Sequence, residues 1–519
     1  MIAGWPSRGG GTGRVVRSLA AILCGKLVVS AGSLLLLPLY LAHWSATRYG
    51  EWLTLSATVA YLSLFDLMHM GAVNRLTQAY ARGDGGDYRS AQRAAMGFYL
   101  CAAALGTLVI TAGVLLVPLR EVLGLTELSA GEVGATTWLL GCLILWAMPA
   151  GLLVATYRST GNLAASQWVG NAQQTITIVG TAMALALGLG PASIAALQLA
   201  VLAIVAGGVA WHLWRHAPAL FPSLGTWSKG TLPGLMRPSL LFVLVLAANA
   251  MSLQGSVIVV SLALGGAGVT MFVTLRTLAN VIRQVVNVLV IAMWPEVTRL
   301  EAKGQTTALR SAHSLVIVVT TSVCIAFGAA LWWEGADVVA VWTRGVLVAD
   351  ATTLRILLAF LILQSPWLVG FGFVAASNRH GRTAVACLVS SLIGLGLAAV
   401  LVRSYGIAGV AAGLVAGDLL ACSHFVLRES CRLVGEPYEP FARRLWPSLS
   451  IVFAVALLAG WMVHASLGGP ALARWCAVGF ASTVATALTT WVVWLTPEAR
   501  RALGERLGPL VPLMAGTKA

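Results

Sequence analysis

Acidic side chains are scarce in this sequence: 18 Asp and Glu stand among 519 residues, against 33 Lys and Arg, and charged residues make up only 10% of the chain. A water-soluble globular chain is about a quarter charged, so that class is excluded. Catalytic signatures are missing as well. There is no Walker-type phosphate loop, no HExxH, no GxSxG elbow and no close Cys/His set. The eight cysteines are scattered: Cys24, Cys101, Cys142, Cys324, Cys387, Cys422 and Cys476 fall in apolar stretches and Cys431 in a basic loop. That pattern offers neither a disulfide framework nor a zinc site. No connection between apolar stretches exceeds about twenty residues, too short for a soluble catalytic domain. The expectation is a chain that is not an enzyme and uses no cofactor.

What fills the chain is hydrocarbon: 58% of residues are hydrophobic and mean hydropathy is +0.86. The reading is an all-α polytopic membrane protein. About fourteen segments have the length of a transmembrane helix, over 17–43, 49–72, 94–118, 134–157, 163–188, 191–214, 236–263, 268–294, 311–333, 349–377, 383–402, 407–427, 446–468 and 472–496. The first follows Arg8, Arg14 and Arg17 but is longer than a signal-peptide core and lacks a small-residue cleavage site, so it is expected to be retained.

An even span count sorts the loops by charge. One side collects Arg75, Arg82, Arg89, Arg93, Arg158, Arg215, Lys229, Arg237, Arg299, Lys303, Arg310, Arg379, Arg382, Arg428, Arg432, Arg443 and Arg444, together with Arg500, Arg501, Arg506 and Lys518 near the end. The other side keeps Arg48, Arg120, Arg344, Arg403 and Arg474. The positive-inside rule places the richer side and both termini in the cytoplasm. Basic loops lying on an anionic leaflet account for the formal charge of +15 without a nucleic-acid partner.

Two loops repeat each other. "ARGDGGDYRSAQ" (81–92) aligns without gaps to "AKGQTTALRSAH" (302–313), matching Gly83 to Gly304, Arg89 to Arg310 and Ser90 to Ser311. Each follows the second span of a six-span half. The expected organisation is two parallel six-helix repeats, 1–235 and 236–430, followed by 431–519 with two extra helices and a basic tail.

The eighth span carries "RTLANVIRQVVN" (276–287), an unusual load for a helix in lipid. Two arginines near a helix centre cost about 2.5 to 3.5 kcal/mol each, roughly what the aliphatic residues of the span return. At 100° per residue Arg276, Asn280, Arg283, Gln284 and Asn287 share one stripe, which must face protein or water. Either the stripe lines a polar cavity, or it pairs with buried acids. Only Asp66 and Asp418 are acids at clear membrane depth, with Glu51 nearer an interface, so the cavity is the favoured expectation. Guanidinium also matches phosphate geometry best. Lys26, Ser30 and Ser33 on span 1, and Asn249, Ser252 and Ser256 on span 7, form shorter polar tracks. Glu121, Glu127 and Glu132 read as a solvated outer loop, His69 and His424 as interfacial histidines, and Tyr40, Trp44, Trp294 and Trp332 as interface anchors.

Two stretches carry a family resemblance. "LLLLPLYLAHWSATRYGEWLTLSATVAYLSLFDLMHMGAVNRLTQAYARGD" (34–84) resembles the amino-terminal signature of Wzx-type oligosaccharide flippases, through Pro38-Leu39-Tyr40, Tyr49-Gly50 and Leu64-Phe65-Asp66-Leu67. "RSYGIAGVAAGLVAGDLL" (403–420) resembles the family's turn between helices 11 and 12, through Tyr405, Gly406, Gly409 and Ala411. These flippases belong to the multidrug/oligosaccharidyl-lipid/polysaccharide exporter superfamily. One departure stands out: the family commonly continues the aspartate with Gly-Leu-Gly, where Met68, His69 and Met70 precede Gly71 here.

The resemblance implies two lobes around a basic cavity that opens alternately to either side. Its implied cargo is a polyprenyl-diphosphate-linked oligosaccharide, with other proteins of polysaccharide assembly as partners. On that reading Arg276, Asn280, Arg283, Gln284, Asn287 and Lys26 would meet the substrate, and Asp66 and Asp418 would be coupling or buried acids. A lipid-linked peptidoglycan precursor flippase and a multidrug exporter would share the fold. A membrane glycosyltransferase or polysaccharide polymerase would need catalytic acids.

Overall fold

The computed structural model describes residues 11–222, 225, 231–377 and 381–494. Arg8, Lys229, Arg379 and the basic tail beyond residue 494 lie outside them. The described chain is helical, without strands, in the order α1 (Gly11–His43), α2 (Ala46–Ala60), α3 (His69–Ala81), α4 (Gly85–Leu116), α5 (Leu119–Val122), α6 (Ala130–Ser159), α7 (Leu163–Ala186) and α8 (Pro191–His216). Then come α9 (Thr231–Ala250), α10 (Ser256–Ala302), α11 (Thr306–Trp342), α12 (Ala351–Ala376), α13 (Gly381–Gly417), α14 (Ser423–Val434), α15 (Tyr438–Ser466) and α16 (Ala471–Thr489).

Ten helical stretches are long and apolar enough to cross a bilayer, and α2 with α3 makes an eleventh bent by 44°. Two of the ten are too long for one crossing. Val243–Ala302 has 60 residues, about 90 Å of continuous helix against a hydrocarbon core of about 30 Å. The chain turns at Gly265, with φ 71°, inside α10, and at Gly406, with φ 57°, inside α13. Each glycine adopts a left-handed conformation that other residues resist. Each long stretch is therefore a hairpin of two spans. The helix α7 is long enough to cross but carries Gln167, Asn171, Gln173, Gln174, Thr175 and Thr177, which keep it out of the apolar set. With it, the described spans agree with the fourteen expected.

Small residues hold the second hairpin together. Gly409, Gly413 and Gly417 recur every four residues, and a Cβ on any of them would collide with the backbone of the opposing strand of helix near Leu401, Ala398 and Gly394. This is the close approach that small-xxx-small spacing permits when no hydrophobic drive separates helix from lipid. Gly413→Ala is expected to destabilise the chain by about 1 to 3 kcal/mol through overpacking. A lowered unfolding temperature of the purified protein would register it, and an unchanged one would show the hairpin to be looser than described.

Two compact units emerge, Met1–Thr277 with Gly381–Cys422 and Leu278–His380 with Ser423–Ala519. In the first, α1 lies along α7, while α3, α4 and α6 surround a core of Met68, Leu76, Tyr88, Tyr99, Leu145 and Leu152. In the second, α11 is central and touches α12, α15 and α16.

The repeated loops have the same backbone. Gly83 and Gly304 take φ of 71° and 65°, and α4 and α11 begin two residues later. Gly83 N donates to Tyr80 O and Asp84 N to Ala79 O; Gly304 N donates to Glu301 O and Gln305 N to Leu300 O, in the same register. The aligned Gln92 and His313 are both buried. Gln92 donates to the Leu220 carbonyl at 2.9 Å, and His313 Nε2 lies 3.1 Å from Ser430 Oγ.

Candidate functional site

Residues 276 to 287 lie in the helical part of α10, downstream of its non-helical Gly265. Arg276 is tied down: its Nη1 donates to Leu253 O at 2.8 Å and to Ser256 Oγ at 2.9 Å, and its guanidinium sits 5.2 Å from the Phe272 ring. Leu253 lies in a π-helical turn, Met251–Gly255, and its carbonyl also accepts the Ser256 hydroxyl at 3.1 Å. The polar track of span 7 is thus part of Arg276's seat, with Ser252 bonded in turn to Ser391 at 2.8 Å. Farther along α10, Asn280, Arg283, Gln284 and Asn287 are all half-buried. Gln284 Oε1 is buried without a hydrogen-bond partner among the described residues.

Asp66 marks a break. The second span leaves its α-helix in a 3-10 turn at Tyr61–Phe65, and Asp66, at φ −75° and ψ 61°, closes that turn before α3 restarts at His69. The Asp66 carboxylate accepts the Tyr99 hydroxyl at 2.5 Å. Where a Gly-Leu-Gly continuation was the family pattern, Met68 fills the elbow and is fully buried. Asp418 is buried within a second π-helical turn, Asp418–Cys422. In the same turn Cys422 Sγ lies 3.3 Å from Cys387 Sγ, and both are free thiols. Lys26 is half-buried on α1, whose face toward α7 is set instead by Ala21, Gly25 and Gly32.

Several sequence readings need correction. Tyr40 and Trp44 are not lipid-interface anchors but are 5% and 6% exposed, with Tyr40 stacked on Tyr49 at 4.7 Å. Glu127 and Glu132 are not simply solvated. Glu127 accepts the Ser45 hydroxyl at 2.5 Å, and Glu132 completes a capping box with Ser129 and pairs with Arg48 at 2.9 Å. Glu334 was missed because the ninth apolar run seemed to end at residue 333. It lies in α11, fully buried, with Arg474 Nε at 3.0 and 2.9 Å and His464 Nδ1 at 2.6 Å from its carboxylate, while Arg474 also meets Asp337. This network fastens α15 and α16 to α11. His424 is satisfied at 2.6 Å by the Tyr438 hydroxyl. His69 is different, since it lines a cavity of about 310 Å³ between α3, α6, α7 and α8 together with Arg158, Ser166, Gln167 and Gln173.

No protein-family pattern matches the chain, and no curated protein sequence matches it. Solved structures do. The lipid II flippase MurJ in an inward closed conformation is similar over 92% of this chain and 98% of its own, with a TM-score of 0.67 at 11% identity. An inward-facing multidrug resistance transporter of the MATE family, in the MOP superfamily, is similar over 81% and 94%, with a TM-score of 0.65 at 15% identity. A MOP superfamily transporter from Pyrococcus furiosus, described as having a binding pocket of reverse polarity that suggests a different function, is similar over 82% and 97%, with a TM-score of 0.58 at 15% identity. The chain has the fold of MOP superfamily transporters.

Proposed function

We propose that this protein is a flippase that moves a polyprenyl-diphosphate-linked oligosaccharide from the cytoplasmic to the periplasmic leaflet of a bacterial inner membrane, for assembly of a surface polysaccharide. The observation that carries the reading is the α10 stripe: Arg283 with Asn280, Gln284 and Asn287, half-buried in a chain poor in membrane acids, on the fold shared with a lipid II flippase. A diphosphate crossing hydrocarbon needs countercharge and forked donors, which guanidinium supplies, while amides meet sugar hydroxyls and the polyprenyl tail stays in lipid. Arg276 and Lys26 add positive charge, and Asp66 and Asp418 are the acids available to couple transport to an ion gradient. The chain moves its cargo without covalent chemistry. Lobes of helices 1–6 and 7–12 would rock about the cargo, with both termini in the cytoplasm.

A cationic-drug exporter is the second reading on this fold, and the basic stripe weighs against it. Cells lacking the protein should accumulate a diphosphate-linked glycolipid on the cytoplasmic leaflet, recovered by extraction and identified by mass spectrometry. An unchanged glycolipid pool combined with heightened sensitivity to cationic drugs would favour the exporter.

A further inference from the structure

The 310 Å³ cavity of the first unit has an unusual polar lining. His69, Arg158, Ser166, Gln167 and Gln173 all border it, and none of their side chains bonds or pairs with another described residue. The rest of the wall is aliphatic or glycine, with no carboxylate and no aromatic ring. Helical spacing explains the convergence: Gly151, Val154, Ala155 and Arg158 share one face of α6, and Ser166, Gly170 and Gln173 share one face of α7. His69 joins them because the break after Asp66 restarts the helix there. Arg158, in the last turn of α6, is exposed, while His69, Ser166, Gln167 and Gln173 are half-buried, so the charge stands at the mouth of the cavity and the neutral polar groups line it.

We propose that this cavity binds a monosaccharide-sized hydroxylated anion, a sugar carrying a phosphate ester or a carboxylate. Arg158 supplies a permanent charge with forked donors for the oxyanion. The amides of Gln167 and Gln173, the Ser166 hydroxyl and the His69 ring match hydroxyl groups, which both donate and accept. Without a carboxylate the wall has nothing to hold a cation. At about 310 Å³ the space is at the small end of ligand pockets, which run from roughly 300 to 1,000 Å³, so it holds one ring and its anion rather than an oligosaccharide. The same chemistry is found in an acidic sugar of a glycolipid and in the glycerophosphate headgroup of an anionic phospholipid. No residue of the α10 stripe takes part, so the site does not rest on the cargo proposed above.

The test is saturable binding of radiolabelled glucose 1-phosphate to the full chain, purified in neutral detergent. Binding is expected, with free glucose a poor competitor. Arg158→Ala should weaken it tenfold or more, and Arg158→Lys should recover part. Gly151→Leu should abolish it, because a side chain there begins 3.8 Å from His69 Cε1 and grows toward a cavity-lining residue, while the helix gains propensity. Displacement by phosphatidylglycerol in mixed micelles would assign the phospholipid source; displacement by glucuronate but not by the lipid would assign the glycolipid source. Absent binding, equal competition by glucose, or unchanged binding in both Arg158→Ala and Gly151→Leu would overturn the site.

Discussion

Arg283→Ala is expected to reduce flipping per correctly inserted molecule tenfold or more. Losing a charge-assisted contact to a partly desolvated diphosphate costs about 1.5 to 3 kcal/mol. Arg283→Lys should recover only part, because an ammonium keeps the charge but cannot fork across two phosphate oxygens. Arg276→Ala provides the contrast. Its Nη1 is already bonded to Leu253 and Ser256 within its own unit, so its loss should lower protein abundance and thermal stability more than flipping per molecule. Reconstitution into vesicles with a fluorescent diphosphate-linked glycolipid separates the two effects. Equal specific activity for Arg283→Ala and the natural protein would remove Arg283 from the transport path.

That contrast marks what one sequence can say. Polar residues at 100° spacing among aliphatic ones define a stripe without any coordinates, and residues 276 to 287 are helical as expected. That Arg276 is bonded to a backbone carbonyl was not legible. Arg276 donates to the carbonyl of Leu253, which lies in a π-helical turn, and nothing in the side chains of Met251–Gly255 signals that turn. The turn at Gly406 was legible in the family resemblance of residues 403–420, while that at Gly265 showed only as a gap between apolar runs. The two aligned basic loops share their backbone, because a glycine at positive φ and the helix start that follows it are set locally.

The elbow at Asp66 shows the opposite case. Hydropathy runs through residues 49–72 without interruption, so the second span reads as one helix, yet the chain breaks after Phe65 and re-enters at His69. The departure from the family pattern at Met68 and His69 was visible in the sequence. Its consequence needed the fold: Met68 plugs the elbow, and His69 turns a span that would be all packing into one wall of a cavity. The polar residues of α7 divide in the same way, since Gln173 borders that cavity while Asn171 donates to Ala21 O of α1 at 2.8 Å.

Glu51→Ala is expected to produce the largest loss of stability of any change considered. Glu51 is 1% exposed, and among the described residues no cation pairs with it. Its Oε1 instead accepts the backbone amides of Thr126 at 2.5 Å and Glu127 at 2.9 Å, with the Thr126 hydroxyl at 3.1 Å, and its Oε2 accepts the Leu128 amide at 2.8 Å. A carboxylate that receives so many donors is stable when buried, and the connection between α5 and α6 folds around it, packing Leu125 and Leu128 against Leu55. Alanine would strand three amides at about 1 to 3 kcal/mol each, a total of roughly 3 kcal/mol or more. Glu51→Gln should fall between, because its carbonyl can still accept while its NH₂ faces donors. The unfolding temperature of the purified protein and the rate of proteolysis within residues 119–129 are the readouts. If Glu51→Ala unfolds at the natural temperature with that connection still protected, the carboxylate does not organise the loop.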